Sequence, residues 1–348
     1  MRVLSLSTLL FFLGFFISPA QDSGETNTTS SNPARTISLV KVADSIYMLQ
    51  GKGGNIGVSF GNDGVLMIDS QFAPATPEII DLIASLSDKQ VQFLVNTHHH
   101  GDHTGGNANM TDNGAIVVAH DNARKRLVNV EKQKIYKAQE EEFKKLVDQL
   151  EDEGNTEKAQ AKAKEGIQSE SSFDPSLYKF PVITFSDNMT FHYNDETIMV
   201  FHLHNAHTDG DALVYFTESN VLHTGDTFFN GKYPYIDMNS GGTYDGYIDA
   251  LSKILALTDD ETSIIPGHGP VGSKADVKKT YSMMKALKDR VAYYYVQNNS
   301  KEEILANKEI TKEYDALGYG DGYVSTEKFV SMIYKLTEAK YGDVSKKN

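Results

Sequence analysis

From Thr36 onward, apolar and polar positions alternate with a period near two. Strands are expected at 36–41, 44–50, 55–60 and 64–69, separated by the glycine-rich stretches 51–54 and 61–64 that hairpin turns require. At Thr76–Ser87 the period lengthens. Ile79, Ile80, Leu82, Ile83 and Leu86 recur at helical spacing behind Pro77. Val91–Asn96 reads as a buried strand and Ala115–Ala119 as another, with a helix opening near Asp121. Residues 131–170 lose the apolar stripe. Charges of both signs crowd there, as on a solvated helical pair turning near Gly154-Asn155: a surface elaboration, or a lid. Strands resume at 181–185, 189–193, 196–202, 212–217 and 220–224. Helix 244–257 and strand 262–265 follow, and from Lys274 the pattern is helical.

The order is strands then helices, twice over. Val65-Leu66-Met67-Ile68-Asp69 resembles Val221-Leu222-His223-Thr224-Gly225-Asp226, an apolar strand ending in aspartate in each half. Two sheets face to face, with helices outside each, would bury both apolar sets and leave a site along the edge where strand ends meet. The expected class is α/β, a four-layer αββα sandwich with a charged helical insertion.

Residues 1–20 follow a different rule. Arg2 precedes a short apolar run from Leu9 to Ile17, and the small residues Ser18 and Ala20 suit a signal-peptidase site. The run is short of the roughly 20 apolar residues that a span needs. Residues 21–35 are small and polar, a flexible tether to the domain expected over 36–348. An exported protein, periplasmic or secreted, is expected, with no stable membrane insertion after signal cleavage. The chain has no cysteine, which excludes disulfides, thiolate metal sites and a cysteine nucleophile. A net charge of −14 opposes nucleic-acid binding, which needs a basic surface, and fits a small-molecule substrate. Oligomeric state stays open.

The candidate chemistry lies in His98-His99-His100-Gly101-Asp102-His103. At a strand end, His98 and His100 point the same way and can reach one ion. His99 points away. Asp102 and His103, past the turn, can serve a second ion. Downstream stand His207, Asp226 at a strand end, and His268 between glycines. Zinc takes neutral imidazole, and carboxylate supplies counter-charge where thiolate is missing. A carboxylate can bridge two ions, and Asp226 is the natural bridge. Two ions about 3.5–4 Å apart can acidify a shared water toward pKa ~7, giving hydroxide at neutral pH. His120, His202, His204 and His223 lie in or beside strands, where packing or bracing of a ligand is the default.

With these motifs in this order, the chain resembles the metallo-β-lactamase superfamily over about residues 36–275. The resemblance implies a first metal on His98, His100 and His207 and a second on Asp102, His103 and His268, with Asp226 between them. It matches Asp69 to the family's early aspartate, bracing a ligand or loop; His223 is a candidate for a similar role. It implies a hydrolase with two Zn2+ (Fe or Mn as alternatives). A metal-bound hydroxide would attack a carbonyl, with Asp102 as catalytic proton shuttle. Tyr233 and Tyr235, following Asp226, could touch substrate. Zinc β-lactamases usually carry Cys, or a non-ligand Ser, where Asp226 stands; aspartate there is similar to glyoxalase II and the homoserine-lactone lactonases. The expected substrate is a small cyclic amide or ester, β-lactam or lactone. The rivals are a thioester hydrolase of the glyoxalase II type, a mononuclear iron persulfide dioxygenase and a non-catalytic metal-binding protein.

Overall fold

The computed structural model describes residues 36–165, 173–175 and 178–345. The expected signal segment 1–20, the tether 21–35 and residues 166–170 of the insertion lie outside the described residues.

β1 (Ser38–Lys41), β2 (Ile46–Gln50), β3 (Ile56–Phe60) and β4 (Val65–Ile68) form an antiparallel meander. Helix α1 (Thr76–Ala84) then carries the chain to β5 (Val91–Asn96), parallel to β4. The short helices α2 (Gly101–Thr104) and α3 (Asn107–Asp112) lead to β6 (Ile116–His120). Past α4 (Asp121–Asp152) and α5 (Thr156–Glu165), β7 (Ile183–Phe185) completes a seven-stranded sheet in sequence order. The second sheet has five strands: β8 (Asn188–Tyr193), β9 (Glu196–Leu203), β10 (Asp211–Phe216), β11 (Val221–His223) and β12 (Ser263–Ile265). Its first four strands are antiparallel neighbours. β12 joins β11 in parallel after α6 (Tyr244–Leu257). The helices α7 (Lys274–Val296), α8 (Lys301–Ala306), α9 (Lys312–Asp315) and α10 (Thr326–Ser345) end the described chain.

All four residues of β4 are buried, as expected of a strand covered on both faces. Period two divides them. Leu66 and Ile68 join Val95 and Val118 against Ile198, Val200, Val214 and Val221 of the second sheet. Val65 and Met67 face the other way, with Leu94 and Val117, onto Ile79, Leu82 and Ile83 of α1. On the far side, Leu213, Leu222 and Ile264 meet Leu251 and Ile254 of α6, Met284 and Leu287 of α7, and Phe329 and Ile333 of α10. The layers are therefore helix, sheet, sheet, helix. Each such aliphatic side chain taken fully from water stabilises the fold by roughly 1.5–3 kcal/mol.

The charged stretch is rooted earlier than its composition suggests. α4 begins at Asp121, and its first turns dock: Arg124 Nε donates to the Pro181 carbonyl, and Arg126 forms a bidentate pair with Asp209. Of its 32 residues only Ala123 is buried. The chain turns at Gly154 before α5.

Candidate metal centre

The parallel strands β4 and β5 and the strand β11 end at one edge of the sandwich, and the loops leaving them carry most of the candidate residues. The backbone of Asp69 turns through the left-handed region, φ 60°, and aims its carboxylate inward. That carboxylate caps no helix. It accepts from the Thr97 amide (2.7 Å), the Thr97 hydroxyl (2.7 Å) and His103 Nδ1 (2.7 Å). It thus fixes the start of the histidine loop and the orientation of the His103 ring, which turns Nε2 toward Asp226.

Around Asp226 two groups form. His98 Nε2 and His207 Nε2 lie 3.1 Å and 2.9 Å from His100 Nδ1. Asp226 Oδ2 stands 3.8 Å from His98 Nε2 and 3.5 Å from His207 Nε2. On the other side, Asp226 Oδ1 is 3.0 Å from His103 Nε2 and 3.4 Å from His268 Nε2, and Asp102 Oδ2 is 3.3 Å from His268 Nε2. The two carboxylate oxygens of one residue therefore serve two different groups.

Close backbone approach makes this possible. A Cβ at Gly267 would lie 2.1 Å from Asp226 Oδ1, and one at Gly54 would lie 2.1 Å from the His103 ring. Only glycine admits these loops so near Asp226 and His103.

Bracing extends outward. His207 Nδ1 donates to the Tyr235 carbonyl (2.7 Å), which turns Nε2 inward. His100 Nε2 donates to Asp237 (3.0 Å), leaving Nδ1 for the centre. Asp237 carries no motif in the sequence, and only the fold of the loop after Asp226 brings it to His100. His223 accepts the Gly225 amide at Nδ1 and donates from Nε2 to the Asn55 carbonyl. Asn55 in turn donates to the carbonyls of Pro266 and Gly269, tying the His268 loop to β3. His99 points away, its Nε2 3.3 Å from Ser240 Oγ. His202 stacks on His120 at 3.7 Å and takes no part in either group.

The two following tyrosines part company. Tyr235 is half-buried beside His100 and lines the cleft. Tyr233 is 1% exposed, stacked on Phe329 at 4.5 Å, with its hydroxyl on Asp315. Its contribution is mainly the floor of the cleft, because its ring and hydroxyl are spent on packing.

Electrostatics separates the groups. Burial holds the His207 imidazole down at about 4 and His98 well below its ordinary value, so both offer neutral nitrogens. Burial also opposes a proton on His103 and His268, but the carboxylates outweigh it. Asp226 and Asp69 hold His103 well up, and Asp226 with Asp102 holds His268 at about 9. Burial would raise Asp226, yet His103 and His268 keep its carboxyl well below the usual range.

These residues fit divalent metal. His103 Nε2 and Asp226 Oδ1 are buried without a hydrogen-bond partner, though they face each other. Three ring nitrogens converge in the first group, more lone pairs than protons between them can satisfy. A cation in each group answers both facts. Imidazole with carboxylate is a donor set that zinc accepts, and iron and manganese accept it too.

A family model described as the metallo-beta-lactamase superfamily matches residues 49–268. Among solved structures, a metallo-beta-lactamase from Pontibacter korlensis is 16% identical, with a TM-score of 0.52, over 72% of this chain and 99% of that chain. The DIM-1 metallo-beta-lactamase is 16% identical, with a TM-score of 0.51, over 72% of this chain and 98% of that one. At these identities the likeness to the two structures is one of fold.

Proposed function

The chain belongs to the metallo-β-lactamase superfamily, and we propose that within it this protein is an exported two-metal hydrolase that opens a small cyclic amide or ester, a β-lactam or a lactone. The observation that carries the reading is the split of Asp226, with Oδ2 turned to the three-histidine group and Oδ1 to the group of Asp102, His103 and His268. Two metal ions, when bound, would supply Lewis acidity for a substrate carbonyl and acidify a water toward neutral pKa. His98, His100 and His207 would hold one ion, and Asp102, His103 and His268 the other.

The chain's own residues do the rest. Asp237 and the Tyr235 carbonyl fix the rings of His100 and His207. Asp102 lies at the cleft with part of its surface open, where its carboxylate can orient a nucleophilic water and carry a proton to the leaving group. Burial alone would raise the Asp102 carboxyl, but the hydrogen bond from His268 keeps it below the usual range, in the form that accepts a proton. Tyr235, Phe72 and Phe229 wall the cleft and shelter the reacting atoms.

Aspartate rather than a thiolate at position 226 favours lactones alongside β-lactams. Export is read from residues 1–20, and β-lactams are met outside the cytoplasm. The test is turnover by the zinc-loaded protein from Gln21 onward on β-lactams, acyl-homoserine lactones and thioesters, with metal analysis of natively purified protein. Ring opening with close to two metals per chain is expected. One iron per chain with no hydrolysis would replace this reading with an iron oxygenase.

A further inference from the structure

Charge is segregated along the helical insertion. Residues 121–137, the root of α4, carry six basic residues and two acids, a net of +4. Residues 138–165, the far part of α4 with the turn and α5, carry nine acids and five lysines, a net of −4. The two parts cancel, so the rest of the chain holds the entire −14. Arg126 is neutralised by Asp209, and without it the root keeps +3. The stability of the helix itself does not call for this order. Its last turn holds Glu151 and Asp152 and no base, against the sign that the helix dipole favours there.

An apolar seam accompanies the charges. Val128, Ile135, Tyr136, Phe143, Leu146 and Leu150 fall within one stripe of α4, about 100° wide at helical spacing. Tyr136 stays 43% exposed and Leu146 41%. Beside the root, a groove of about 570 Å³ is lined by Arg124, Lys125, Lys132, Val128 and Val182, among others, and Val182 is 77% exposed.

We propose that the insertion is a self-association arm: two copies of this chain pair their α4 helices antiparallel, and the acidic tip of each lies along the basic root of the other. Charge selects this occupant. Acidic bodies repel one another, whereas each arm offers an identical copy a positive stretch and a matching negative one. A parallel pair would set like charge against like. The antiparallel pair sets +4 against −4 at both ends, as a two-fold axis requires. That axis passes near Tyr136, the middle of the 32-residue helix, and brings the ring against its own copy. The tip's Leu146 comes over Val128 and Val182, and its acids over the basic residues of the groove. The helix is about 48 Å long and about 10 Å across, so the pair covers roughly 1,000 Å² in total, the lower limit of a specific interface. A micromolar, salt-sensitive dimer is expected.

Sedimentation velocity of the zinc-loaded protein from Gln21 onward, at about 1 to 100 µM, is the test. In about 0.05 M salt the protein should pass from monomer to dimer over that range. In about 0.5 M salt the dissociation constant should rise at least about tenfold, because exposed charges are then screened within a few ångströms. Root reversal (Lys125→Glu, Lys134→Glu, Lys137→Glu) and tip reversal (Glu141→Lys, Asp148→Lys, Glu151→Lys) change exposed positions only. Each alone should be monomeric throughout, with the zinc content and circular dichroism of the parent. Mixed one to one they should form a dimer, and the chain carrying all six changes should again pair with itself. A parent that stays monomeric at the highest concentration in low salt overturns the proposal. So does a dimer that is indifferent to salt or survives either reversal, which would put the contact on another face. A mixture, or a six-fold variant, that stays monomeric overturns it as well.

Discussion

Asp226 carries a burden that its neighbours do not share. Its two oxygens face two groups, while burial leaves Oδ1 without a hydrogen-bond partner. Asn at this position keeps the volume but loses the charge and a good bridging oxygen. Asp226→Asn should lower kcat by at least about 10²-fold, about 2.7 kcal/mol of transition-state stabilisation. It should weaken the metal on Asp102, His103 and His268 more than the one held by three histidines. Kinetics and zinc analysis on the same preparation check this, and near-normal values of both would remove the bridge. The imidazoles add a pH dependence. His268 holds its proton up to about 9 because carboxylates surround it, so a metal entering that group must displace the proton. Below pH 9 the apparent affinity of the second metal should therefore fall with pH, by about tenfold per unit for each proton released. Competition with a chromophoric chelator between pH 6 and 9 reads this directly. His268→Ala should lower the stoichiometry toward one metal.

Helices and loops divide the labour between support and chemistry. The loop after Asp226 does most: Tyr235 and Asp237 orient His207 and His100, Tyr233 packs into the floor, and Lys232 faces the cleft. The α4–α5 hairpin stands at the other extreme. Beyond its docked first turns its exposed charges bury almost nothing, and exposed ion pairs contribute little. Replacing residues 131–170 with a short Gly/Ser loop should leave zinc content and unfolding temperature close to those of the parent. Loss of folding would mean that the charged segment covers core, and a rise in KM alone would make it a lid. The periodicity of the sequence made these elements legible, because strands and helices impose periods that burial must respect. It opened the first helix of the hairpin near Asp121, where it begins, but could not show how that end docks, since the contacts of Arg124 and Arg126 are polar and leave no apolar stripe.

At the scale of the whole molecule, the C-terminal helices are part of the body. Phe329 and Ile333 of α10 are fully buried with residues of the second sheet, α6 and α7. Phe329→Ala should destabilise the protein by about 3–5 kcal/mol, as large-to-small changes in a packed core do. Chemical denaturation measures it. Because Tyr233 stacks on Phe329, the same change should also loosen the loop that orients His100 and His207, and zinc affinity should drop with stability. Unaltered stability would mean that α10 only rests on the surface.

The sequence by itself determined the layers and the candidate ligand set. Alternation and helical spacing mark which face of each element must leave water, and His98, His100, Asp102, His103, His207, Asp226 and His268 are chemically conspicuous wherever they lie. The pairing of His98 with His100 and of Asp102 with His103 was legible locally, the placing of His207 and His268 only through family resemblance; the tertiary structure supplied the distances. It also decided what no local pattern encodes. Asp237 reaches His100 across 137 positions of chain, and Asp69 reaches both Thr97 and His103. Tyr233 turns into the core while Tyr235, two residues on, faces the cleft. Tyr323 arrives at the same cleft from beyond the family's shared region. The reason is physical. Burial periodicity is a property of short stretches of chain, whereas the partner of a carboxylate or the exposure of a ring depends on which distant backbone packs beside it.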